Sequence, residues 1–176
     1  MHPKLVRGAL ASACLGLSAS AALAHVTLET RSAPIGSTYK AVLRVGHGCD
    51  GSPTVKVRVR IPDGVVAVKP MPKPGWELDT VESPYTQPYD YFGTPLTEGV
   101  REITWTGRLL DRHYDEFVFR AYLSEALTPD TTLSFPTVQE CEQGVERWIE
   151  IPAAGKSADD YKSPAPGVRL RPKASP

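Results

Sequence analysis

One run near the middle of the chain, Thr54-Val-Lys-Val-Arg-Val-Arg-Ile61, alternates without a break between apolar and polar side chains. Val55, Val57, Val59 and Ile61 fall on one face, with Thr54, Lys56, Arg58 and Arg60 on the other. A repeat of two belongs to a strand and excludes a helix, whose faces return every 3.6 residues. Apolar residues on one side only describe a half-buried antiparallel strand. A weaker version runs from Tyr39 to Val45, with Tyr39, Ala41, Leu43 and Val45 facing inward. Further strands are expected at Val26–Thr30, Val65–Val68, Trp76–Val81, Glu102–Thr106, Glu116–Tyr122 and Arg147–Ile151. Turn signals separate them at Pro62-Asp-Gly64, Pro72-Lys-Pro-Gly75, Thr97-Glu-Gly99 and Gln143-Gly144. Helical periodicity is missing; the nearest candidate, Ser124–Leu127, is too short to matter. Short strands between Pro/Gly turns argue an all-β fold, an immunoglobulin-like antiparallel β-sandwich. The 17 prolines agree, because proline blunts exposed strand edges.

The two ends differ from this middle. Residues 1–24 carry a basic start (Lys4, Arg7), an apolar run from Gly8 to Leu23 and an A-x-A-like sequence at Ala22-Leu23-Ala24. That is the build of a removable secretory signal peptide, and the run is too short and too rich in small residues for a membrane anchor. Cys14 inside it invites a lipoprotein reading, but Ala11 stands where a leucine would be expected. Removal of the signal leaves 152 of the 176 residues, enough for one domain. The chain balances 20 Lys+Arg against 20 Asp+Glu, and loss of Lys4 and Arg7 puts the remainder near about −2. This excludes the basic stripe of a nucleic-acid binder and gives no reason for attraction to anionic lipid. No second apolar span follows, so the product is expected to be periplasmic or secreted and not embedded in a membrane. From Ala153 the composition shifts to Ala, Gly, Lys, Ser and Pro, and residues 153–176 read as a flexible tail behind a 25–152 domain. There is no internal repeat.

Cleavage after Ala24 would make His25 the first residue. A first histidine offers a free α-amine and an imidazole Nδ1 that can close a chelate ring on one metal ion, as no internal histidine can. The bland reading is that any residue can follow a cleavage site. The densest polar cluster is Gly46-His47-Gly48-Cys49-Asp50-Gly51. Glycine lets the backbone turn sharply there and approach a ligand closely, and imidazole is the commonest nitrogen donor to late first-row metals; the alternative is a surface histidine in a turn. Cys49 and Cys141 are the two cysteines left after cleavage, and in an exported protein one disulfide is the default. A thiolate metal site is the competing reading. The amine of His25 with the imidazoles of His25 and His47 would supply three nitrogens, a set that suits the tetragonal preference of Cu(II). His113 is either a third ligand or an exposed residue at a strand start. Trp148, on the opposite strand face from Ile149 and Ile151, is either core or the cover of a metal site. The chain has no Gly-x-Ser-x-Gly, phosphate-cradling loop, Cys-x-x-Cys or His-Glu-x-x-His, so no catalytic residue is assigned.

Read in order, Ala-His25-Val-Thr27, Arg44-Val45, Pro53-Thr-Val-Lys-Val-Arg-Val-Arg-Ile-Pro62, Lys69-Pro-Met-Pro-Lys-Pro-Gly-Trp76, Glu102-Ile-Thr-Trp-Thr-Gly107, Tyr114-Asp-Glu-Phe117, Phe135-Pro-Thr-Val-Gln139 and Trp148-Ile-Glu-Ile-Pro152 resemble the YcnI-like family of secreted copper-binding domains. The resemblance runs from His25 to Pro152. It implies a β-sandwich whose cleaved N-terminal histidine binds Cu(II), with a carboxylate ligand and a tryptophan beside the metal, in a chaperone or storage role near copper-handling membrane or periplasmic proteins. The histidine is then His25 and the tryptophan Trp148. Where the better-known members have a glutamate, this chain has His47-Gly48-Cys49. His47 is inferred to replace it, in a proteobacterial-type subgroup that also carries the Cys49–Cys141 bridge. Two further function classes stand beside copper homeostasis. One is a histidine-brace copper monooxygenase, for which Tyr85, Tyr89, Tyr91 and Phe92 are the only aromatic cluster able to form a substrate face, with core packing or a loop plug as the favoured alternative for them. The other is a metal-free structural or adhesion module.

Overall fold

The structure, a computed structural model, describes residues 25–153 and 155–174. The expected signal peptide, its cleavage sequence and Cys14 lie outside the described residues. Twelve strands follow in chain order: β1 (Thr27–Leu28), β2 (Ser32–Pro34), β3 (Ser37–Val45), β4 (Thr54–Arg60), β5 (Val65–Pro70), β6 (Glu77–Tyr91), β7 (Thr94–Leu109), β8 (Asp115–Leu123), β9 (Thr132–Ser134), β10 (Thr137–Cys141), β11 (Val145–Trp148) and β12 (Gly167–Arg171). A single 3₁₀ turn, Ala158–Asp160, is the one helical element among the described residues. Among the described residues no helix is long and apolar enough to cross a membrane.

The strands form a four-stranded sheet in the order β1-β3-β8-β5 and a five-stranded sheet in the order β11-β10-β4-β7-β6, with every pairing antiparallel. One core joins them. Tyr39, Ala41, Leu43 and Val45 from β3 and Phe117 and Phe119 from β8 meet Val57, Val59, Ile103 and Trp105 from β4 and β7. The inward face expected for Tyr39–Val45 is the buried face. In β4 the expected face holds for Val57, Val59 and Ile61 but not at the start of the strand. There the register against β7 slips between Thr54 and Lys56, so that Thr54 is fully buried and Val55 only partly. A bulge adds one residue and so reverses which side chains point inward beyond it.

Three expectations are corrected. Thr97-Glu-Gly99 is not a turn but part of β7, which pairs with β6 out to Tyr91 and Thr94 around the two-residue turn Phe92-Gly93. Gly99 is a packing glycine, since a Cβ there would overlap the Tyr85 hydroxyl. Among the described residues past Pro152 the chain is not a flexible tail. Gly167–Arg171 is a strand, parallel to β2 and antiparallel to β9, and its Val168 and Leu170 are buried in the main core. Burying two aliphatic side chains and pairing a strand on both edges outweighs the local polar composition, so the domain runs through Arg171 rather than ending at Pro152. Finally, the strand expected at Arg147–Ile151 runs at Val145–Trp148; beyond it Glu150 forms a lone parallel bridge to Pro164, and Ile149 and Ile151 are exposed.

Candidate functional site

β3 ends at Val45 and the chain enters the loop that carries His47. Four restraints shape this loop. The backbone N–H of Gly48 donates to Asp111 Oδ1 at 2.9 Å. Cys49 and Ser52 exchange two backbone hydrogen bonds, at 3.1 and 2.9 Å. The Cys49–Cys141 disulfide ties the loop to the end of β10. The fourth is steric: a Cβ at Gly48 would overlap the Ser52 carbonyl oxygen, so only glycine fits this close approach. His47 Nδ1 donates to the Gly48 carbonyl oxygen. A carbonyl only accepts, so in the neutral ring this contact puts the proton on Nδ1.

β10 supplies the residue that organises the rest. Gln139 is almost wholly buried at an inward position. Its Nε2 donates to the His47 carbonyl and to Thr54 Oγ1, both at 2.7 Å, and its Oε1 accepts from Trp148 Nε1 at 3.1 Å. One amide thereby connects the His47 loop, the bulged start of β4 and the last residue of β11. Sequence reasoning assigned no role to Gln139. The available signal was an uncharged polar residue between Thr137 and Cys141 on the inward side of a strand, where a polar group must find partners.

Trp148 is buried, and both candidate histidines pack on it. Its ring centroid lies 5.4 Å from that of His25 at a tilt of 56°, and 6.3 Å from that of His47 in an edge-on arrangement. His25 immediately precedes Val26, which is buried in the core, so the backbone there is anchored. His25 Nε2 is buried and has no hydrogen-bond partner among the described residues. An unsatisfied buried nitrogen costs about 1–3 kcal/mol unless water or an ion meets it. Beside His25 lies a small cleft of about 150 Å³, lined also by Arg31, Asp159, Pro164 and Gly167, so the corrected C-terminal segment forms one wall of it. A larger groove of about 600 Å³ shares only Ala158 and Ala165 with that cleft and includes neither histidine.

His25, His47 and Trp148, named from the sequence, therefore converge, and Cys49 and Cys141 are bridged. His113 is exposed, in a turn whose backbone N–H donates to the Leu110 carbonyl. The cluster of Tyr85, Tyr89, Tyr91 and Phe92 does not form a flat face. Tyr85 and Tyr89 are buried in a second small core with Val66 and Tyr122, and the Tyr91 and Phe92 rings both contact Tyr122. Among the described residues no three His, Cys, Asp or Glu side chains gather as a metal-binding group.

The profile of a family described as "Domain of unknown function (DUF1775)" matches residues 25–170. No curated protein matches the chain. Among solved structures it is similar to the crystal structure of an uncharacterized protein from Nocardia farcinica, described as revealing an immunoglobulin-like fold. The two are 23% identical over 84% of this chain and 98% of that one, with a TM-score of 0.61. That likeness establishes the immunoglobulin-like fold.

Proposed function

We propose that this chain, which belongs to the DUF1775 family that includes the YcnI-like proteins, is an exported copper-binding protein that takes Cu(II) through His25 and His47 and acts as a chaperone or buffer. The observation that carries the reading is the convergence of both imidazoles on the buried Trp148. Two side chains are too few to hold the ion, and the donor set is completed by the α-amine that cleavage before His25 would release. Amine, His25 Nδ1 and His47 Nε2 are nitrogen donors of the kind Cu(II) prefers. The ion would bring the Lewis acidity and redox couple of copper. The chain's own part is to present the donors: Gln139 and the disulfide hold the His47 loop, the Gly48 carbonyl keeps the His47 proton on Nδ1, and Trp148 packs against both rings and keeps water from that side.

The buried disulfide supports residence in an oxidising compartment outside the cytoplasm. There the protein would exchange copper with membrane or periplasmic copper-handling proteins. We read it as a binder rather than an enzyme, because Tyr85 and Tyr89 are buried in a small core with Val66 and Tyr122, which leaves Phe92 as the one largely exposed ring of the aromatic cluster.

The test is a Cu(II) titration of the protein beginning at His25 against a version with one extra residue before His25. The extension should weaken binding by about 100-fold or more, since it removes the free amine. His47→Ala should weaken it similarly and change the nitrogen hyperfine pattern of the EPR spectrum. Equal affinity with and without the extension would end the proposal. The α-amine has an unperturbed pKa of about 8, so affinity should also fall steadily as pH drops below that value.

A further inference from the structure

The outer face of the four-stranded sheet carries a row of like charges. Lys40 on β3 lies opposite Arg120 on β8, and Lys69 on β5 lies opposite the same Arg120. Their neighbours Tyr39, Ala41, Val68, Phe119 and Ala121 point into the core, so the three cations share the solvent side. Like charges directly opposite one another on neighbouring strands repel and destabilise a sheet. None of the three has an ion pair among the described residues, and Arg120 donates to the Thr38 hydroxyl at 3.4 Å. On other strands several cations do have acids beside them: Lys56 and Arg58 share Glu140, Arg44 sits between Glu29 and Glu116, and Arg101 holds Asp63. Other cations such as Arg60 and Arg147 also stand outside these ion pairs; Lys40, Arg120 and Lys69 are set apart by lying directly opposite one another across three neighbouring strands.

These cations border a shallow groove of about 420 Å³ with Pro70, Met71, Pro72 and Val118 along it and no acidic residue in its lining. Met71 is 51% exposed. β5 is the edge of its sheet, but Pro70 and Pro72 lack the N–H groups that an added strand would pair with. A partner therefore meets the face and not the edge. Strands lie about 4.8 Å apart, so the row spans roughly 10 Å, the reach of two or three alternate residues of an extended peptide.

We infer that this face docks an acidic segment of a partner protein, with carboxylates along Lys40, Arg120 and Lys69 and an apolar side chain on Met71. Arginine and methionine are among the residues enriched at protein interfaces, whereas lysines belong to their polar rims, and the guanidinium of Arg120 can take a carboxylate on two parallel hydrogen bonds. Three cations and one methionine fall short of the two independent signals that a stable membrane attachment needs. The inference does not depend on copper.

The test is an amide NMR titration of the protein with a short synthetic peptide alternating Glu and Ala, beside a binding assay on vesicles containing phosphatidylglycerol. Shifts should cluster at residues 38–42, 69–72 and 118–120 and weaken with added salt. The exposed double variant Lys69→Glu/Arg120→Glu, with its spectrum otherwise intact, should bind the peptide at least about tenfold more weakly, and the vesicles should not bind. Absence of peptide binding, shifts spread equally over cations such as Arg60 and Arg147, or indifference to the double variant would overturn the inference. Vesicle binding that the same variant abolishes would overturn it in favour of a membrane-facing surface.

Discussion

Gln139 shows how much of the site depends on one uncharged side chain. Replacing it by leucine keeps the volume roughly but removes the hydrogen bonds that Gln139 makes to the Trp148 indole N–H, the His47 carbonyl and the Thr54 hydroxyl in a buried setting. Each orphaned group costs about 1–3 kcal/mol, so Gln139→Leu should lower the unfolding free energy by about 3 kcal/mol in urea titrations. A loss under about 0.5 kcal/mol would mean that water or a side-chain shift replaces the amide. At this scale Trp148 and His25 were legible in the sequence. The first stands on the opposite strand face from Ile149 and Ile151, which the structure leaves exposed, and the second is set apart by its place after the expected cleavage sequence. Gln139 was not legible as an organiser, because its three partners come from three separate segments of chain. His47 was legible as a candidate, but the proton on Nδ1 depends on the loop folding the Gly48 carbonyl back onto the ring.

Among the elements, β10 matters most for the site and was absent from the expected strands. It pairs with both β4 and β11, carries Gln139, and ends at Cys141. The disulfide closes a sequence separation of 92 residues between the His47 loop and this strand. The chain-entropy model assigns a bridge of that span about 4–5 kcal/mol, and losses on removing native disulfides are about 2–5 kcal/mol. The Cys49→Ser/Cys141→Ser variant should therefore lose about that much stability, with amide exchange accelerating first in residues 46–53. Exchange that rises uniformly across both sheets would show that the bridge supports the whole fold rather than the loop. The bulge at the start of β4 belongs to this scale too. Alternation from Thr54 onward is a local pattern, but the slip that turns Thr54 inward to meet Gln139 arises from how β4 registers on β7. The β6–β7 hairpin teaches the same lesson at Gly99, whose glycine reads as a turn locally and serves to admit the Tyr85 ring.

For the whole molecule, the C-terminal strand is the piece that closes the structure. Val168 and Leu170 are almost completely buried, and β12 holds β2 and β9 together. Fully burying such a side chain is worth about 1.5–3 kcal/mol, so truncation after Pro152 should cost about 5 kcal/mol. The shortened protein should melt well below the full chain by circular dichroism; an unchanged midpoint would show that β12 is dispensable. Burial also pushes the Tyr39 phenol well above its ordinary range, while its hydroxyl donates to the Thr30 carbonyl at 2.6 Å. The folded state thus holds this proton more tightly than the unfolded chain. That contribution is complete below the unfolded pKa of about 10 and is lost as pH rises beyond it. Urea melts at increasing alkalinity should show stability declining above about pH 10, less steeply in Tyr39→Phe; an identical decline in the variant would place the effect on other tyrosines. By itself the sequence determined that the fold is all-β, which faces of β3 and of most of β4 are buried, and which histidines, tryptophan and cysteines to watch, because alternation and motif spacing are written locally along the chain. Only the tertiary structure decided that Gln139 joins the parts of the site, that Thr54 turns inward, and that the chain past Pro152 belongs to the core. Each of those depends on strands distant in sequence supplying the partners, and a lone segment has no means of encoding what its neighbours will bury.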